Sequence, residues 1–142
     1  MANTFASEAS GYLNSTPPVM SNGAIHAARV YRYRAKITLA SQASGDTITL
    51  AKIPANRGFM YGVINTDTSL GTATVSVGPS SSAAKYKAAA VFTSTDTPTL
   101  FGKNAPVVAD PLSAEETVLL TIGTAALPSS GNLVVDLYFS GV

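Results

Sequence analysis

Chemistry in a protein needs side chains that titrate, attack or ligate, and this sequence of 142 residues holds few of them. Cysteine is absent, which removes thiolate catalysis, disulfide staples and Cys-based zinc sites together. His26 is the one histidine. It stands between Ile25 and Ala27 in a stretch without a regular period, so a serine–histidine–carboxylate triad would have to be recruited from a loose segment. Glu115 and Glu116 are the one adjacent pair of carboxylates, but neighbours in a strand face opposite ways and do not share a glycosidase or cation site. Asp46, Asp67, Asp96 and Asp110 each stand beside turn residues, where Asp is favoured for its side-chain bonds to the backbone. The glycine-containing stretches GTATVSVG and GKNAPVVAD match neither nucleotide-binding loop. The expectation is a protein that is not an enzyme and uses no cofactor and no metal.

What remains is RVYRYRAKITLA, Arg29 to Ala40. As a strand it has two sides, with Tyr31, Tyr33, Ala35, Ile37 and Leu39 on one and Arg32, Arg34, Lys36 and Thr38 on the other. Basic groups interleaved with tyrosines suit a sheet on which bases stack. Here the alternation puts the tyrosines behind the arginines, and a net charge of +1 gives no long-range pull on a polyanion. Nucleic acid is therefore disfavoured. Three cations at period 2 within about 15 Å repel one another unless something acidic lies opposite. Arg32, Arg34 and Lys36 are thus candidates to meet carboxylates on another subunit or another protein. A glycan platform is a separate option; Trp is absent, and Tyr61, Tyr86 and Tyr138 would have to supply it.

The elements that carry these groups are short and β-rich. Charged residues are only 12% of the chain, about half the usual fraction, so solubility rests on small hydroxyl side chains. Residues 1–28 have no sustained period and contain Pro17-Pro18 and the turn signal Ser21-Asn22-Gly23. They are expected to form an extended arm, whose Phe5, Tyr12, Leu13 and Met20 are candidates to bind a surface, since a purely solvating tail has little use for them. No secretory signal and no apolar run of about 20 residues is visible, so synthesis in the cytoplasm and no membrane partner are expected. From Arg29 onward, β-branched runs alternate with Gly, Pro, Asn and Ser clusters. Strands are expected at 29–40, 47–53, 59–66, 72–78, 85–93, 116–123 and 132–142, with one short edge strand inside the proline-rich TPTLFGKNAPVVADPL. Residues 29–142 then form one all-β domain, a jelly roll or another Greek-key sandwich.

The order of these segments resembles the decoration, or cement, proteins of tailed-bacteriophage heads. The likeness is carried by GDTITLAKIPANRG, by TSLGTATVSVG and by the closing SSGNLVVDLYFSG. It implies a virion structural protein on the outer surface of the mature capsid, with the major capsid protein as partner, self-association as a homotrimer, and an N-terminal arm that bridges capsid subunits. Neighbouring virion roles, in a head fibre or the tail, stay open.

Overall fold

The structure, a computed structural model, describes residues 4–142, with the side chains of Ser7 and Glu8 excepted. Its elements are α1 (Ser7–Asn14), β1 (Arg29–Thr38), β2 (Thr47–Ile53), β3 (Gly58–Thr66), β4 (Thr74–Gly78), β5 (Lys87–Val91), β6 (Thr99–Phe101), α2 (Asn104–Val108), β7 (Glu116–Gly123) and β8 (Asn132–Gly141). Two antiparallel sheets stack, a first in the order β1-β8-β3-β6 and a second in the order β2-β7-β4-β5.

This order is a folded-over hairpin. β1 pairs β8, β2 pairs β7, β3 pairs β6 and β4 pairs β5, while the extra ladders β3–β8 and β4–β7 close each sheet. Successive strands change sheet at every step except the β4–β5 hairpin. That is the jelly roll, one of the two sandwich topologies expected from the spacing of strands and turns.

Period-2 alternation builds the core between the sheets. Ile37, Ile64, Leu133, Val135, Leu137 and Phe139 of the first sheet face Ile53, Val75, Val77, Val118, Leu120 and Ile122 of the second, all buried. Each such side chain contributes about 1.5–3 kcal/mol on burial, and with no disulfide this packing holds the fold. One end is aromatic: Phe59 lies 4.4 Å from Tyr86 and 5.4 Å from Phe139 by ring centroid, and Tyr33 meets Phe139 edge-on at 5.9 Å.

Several local expectations are corrected. β5 spans only Lys87–Val91 within the expected 85–93, because Lys85 closes a turn on Ser82 and Tyr86 plunges into the core. β4 begins at Thr74, since the Ala73 N–H bonds back to the Leu70 carbonyl in a turn. The proline-rich stretch holds its short edge strand, β6, and also the helix α2. Pro106 fits the first turn of α2, where backbone N–H groups have no helical partner anyway. The arm, expected to be extended throughout, contains the helix α1, and Val19 N–H turns back to the Gly11 carbonyl at 2.9 Å.

β3 carries one extra residue against β8, between the pairs Phe59–Phe139 and Tyr61–Tyr138. This bulge at Met60 reverses the phase of the strand, so Phe59 points into the core and Tyr61 points out of it. Gly62 then faces inward beneath Phe101; a Cβ there would lie 2.2 Å from the ring, so the close approach of β6 requires glycine.

Candidate interaction surface

Among the described residues, His26, the Glu115–Glu116 pair and the turn aspartates do not come together in one site, and no group of three or more His, Asp or Glu is placed to hold a metal ion. His26 has its ring 5.8 Å from that of Tyr12. Glu115 and Glu116 face opposite ways, as their positions require: Glu115 reaches Lys52 at 2.9 Å on the surface, whereas Glu116 turns inward to Lys85 at 2.5 Å and accepts the Tyr86 hydroxyl. Burial, and then this carboxylate, push the Tyr86 hydroxyl far above the ordinary tyrosine range. Asp67 ties the start of β8 to the end of β3. It accepts the Asn132 N–H at 2.7 Å, the Asn132 amide at 3.0 Å and the Thr68 hydroxyl at 3.0 Å, and these bonds, the Asn132 N–H foremost, hold its carboxyl below the usual range.

The two-sided reading of β1 holds. Tyr33, Ala35 and Ile37 pack toward the core, and Arg32, Arg34 and Lys36 are exposed on the outer face. Tyr31 lies on the inner side at the strand's start, where its hydroxyl donates to the Val142 main-chain oxygen at 3.0 Å and Arg57 stacks over its ring at 3.9 Å.

Register assembles the outer face row by row. Arg32 lies beside Tyr138 and Tyr61; Arg34 beside Asp136, Val63 and Leu100; Lys36 beside Val134 and Asn65. The acidic group that the cations call for is in part within the chain. Arg34 grips Asp136 with a two-pronged pair, Nε to Oδ1 at 2.8 Å and Nη2 to Oδ2 at 2.7 Å, and Asp136 is buried beneath it. Bonding to Asp136 raises the Arg34 pKa further above its already high value. Arg32 and Lys36 form no ion pair among the described residues.

The tyrosines missing from the basic side of β1 are supplied by other strands. Tyr61 and Tyr138 stack there with ring centroids 4.7 Å apart and planes 22° from parallel. Of the three glycan-platform candidates these two come together, while Tyr86 belongs to the core. Sequence reasoning missed Asp136 and Leu100, which reach this face only through pairing with β1 and β3; a strand-pairing register was the signal required.

The arm candidates are exposed: Phe5 at 40%, Tyr12 at 38%, Leu13 at 60% and Met20 at 87%. At the arm's inner end Ala24 is buried and Ile25 packs on Gly58. There a groove of about 520 Å³, lined by Ile25, Val30, Met60, Tyr61 and Val107 among others, runs along the sheet's end. The inner end of the arm and the sheet face therefore meet at Tyr61, while Phe5, Tyr12, Leu13 and Met20 do not line this groove.

No protein-family model matches the sequence, and no curated protein matches it. Solved structures do match in fold. A chain of the cyanophage Pam1 capsid asymmetric unit superposes with a TM-score of 0.69 at 15% identity, over 91% of this chain and 97% of that one. A chain of the Ralstonia phage GP4 capsid gives 0.63 at 17% identity, over 80% and 85%. One from the acid-stable capsid of Helicobacter pylori bacteriophage KHP30 gives 0.58 at 12%, over 78% and 86%. The shared property is the jelly roll, in chains of nearly the same length, since each alignment spans most of both partners.

Proposed function

We propose that this chain is a non-enzymatic structural protein of a phage head, specifically a decoration protein that binds the outer surface of the mature capsid and reinforces it. The observation that carries this reading is the likeness, over most of the chain, to similarly small chains of three phage capsids.

The composition of the arm favours decoration over lining the genome. Residues 1–28 contain no Lys or Arg, so the arm has nothing with which to neutralise packaged nucleic acid. It offers Phe5, Tyr12, Leu13 and Met20 instead, mostly exposed, which suits burial against protein. In this account the arm bridges major capsid subunits and the sandwich stands above the shell as a homotrimer. One weak contact per protomer, repeated by the trimer, gains avidity through effective concentration, and a clamp that binds only the mature shell stabilises it by mass action.

The test is co-sedimentation of the purified protein with expanded heads that lack it, against unexpanded precursors. Saturable binding to expanded heads alone supports decoration; no binding to either refutes it. The stacked Tyr61 and Tyr138 favour one second reading, a glycan-binding adhesion sandwich, for which a glycan array without hits is the refutation.

A further inference from the structure

We propose that the outer face of the β1-β8-β3-β6 sheet is a second docking surface, distinct from the arm residues Phe5, Tyr12, Leu13 and Met20, and that its occupant is an acidic protein surface. On this face Arg32 and Lys36 meet carboxylates while the Tyr61–Tyr138 stack, Val63 and Leu100 form the apolar centre. The inference rests on the decoration reading only for the partner's identity as capsid shell. Its chemistry is read from the face itself.

Three observations define the occupant. The pairing of Arg34 with buried Asp136 leaves Arg32 and Lys36 as uncompensated positive charge on either side of a neutral middle row. Between and beside them the surface is aromatic and aliphatic, with Leu100 70% exposed, and Tyr and Arg are among the residues enriched in binding hot spots. Finally, β1 is an edge strand, and pairing it with β1 of a second copy would set like charges opposite one another. The partner is therefore a different, acidic surface.

Nucleic acid fits less well. Two free cations neutralise few phosphates. The size of the face also fits a subsidiary contact. Four strands and three rows span about 15 Å each way, well short of the roughly 800 Å² per partner of a stable interface, so the face adds to the arm and does not replace it.

The experiment compares native protein with Arg32→Glu/Lys36→Glu and with Tyr61→Ala, on expanded heads and, as a head-independent probe, on poly-L-glutamate at low salt. The proposal expects the double charge reversal to bind heads about 100-fold more weakly and to lose the polyglutamate interaction, with an unchanged melting temperature. Tyr61→Ala weakens head binding and leaves polyglutamate binding in place. Undiminished head binding by the charge-reversed protein overturns the proposal. So does native binding to a dT oligonucleotide that the reversal abolishes while head binding persists, or a change of self-association alone in sedimentation. If native protein binds no heads, the decoration reading fails; this face then stands if polyglutamate binds through Arg32 and Lys36, and falls if it does not.

Discussion

Among single residues, the charges that matter most to stability are those the fold has pulled inward. Glu116 serves both Lys85 and the buried Tyr86 hydroxyl, so Glu116→Ala leaves a hydroxyl and an ammonium without their acceptor. The expected cost is about 2–4 kcal/mol, read from denaturant unfolding with an unchanged m-value; a loss near zero would show that water replaces the carboxylate. Asp67 adds a pH dependence of known sign. Its folded pKa lies below the ordinary 3.8, so its contribution is complete above the unfolded value and disappears as pH falls through the folded one. Melting of native protein and Asp67→Ala should therefore differ at neutral pH and converge as pH falls below the folded value; a constant gap would contradict the assignment. At this scale the sequence was partly legible. The opposed directions of Glu115 and Glu116 follow from strand alternation alone, whereas the Arg34–Asp136 pair spans 102 positions and needs the strand order to be found.

Among elements, the alternation of β1 and β8 foretells the core, and the spacing of strands and turns foretells a sandwich. Two features escape such reading because tertiary contacts decide them. The Met60 bulge turns Tyr61 outward, and its only trace in the sequence is the odd interval of five between the core residues Phe59 and Ile64. Helix α2 forms around Pro106 because β3 offers a surface for it to pack against; propensity alone reads that stretch as loop. The arm makes its own prediction. Leu13 and Met20 are exposed, so Leu13→Asp/Met20→Asp should shift the melting temperature by no more than about 2–4 °C, as surface substitutions do, yet abolish saturable attachment to heads. A destabilised sandwich with normal attachment would mean that the arm serves folding and not binding.

The molecule as a whole is an eight-stranded jelly roll with few titrating groups, an apolar arm free of basic residues, and one sheet face that is basic at its edge and aromatic at its centre. These properties support the proposed reading, in which the protein works by contact. Strand order distinguishes the jelly roll from other sandwiches and was not readable from periodicity, because nothing local in the sequence records that β1 pairs with a strand a hundred positions away. The central claim, attachment to the outside of a mature head, is tested most directly by cryo-electron microscopy of expanded heads incubated with the purified protein. The account predicts jelly-roll density on the outer shell, with residues 1–28 lying across neighbouring capsid subunits. Heads with bare outer surfaces, or density confined to the interior or the tail, would contradict it.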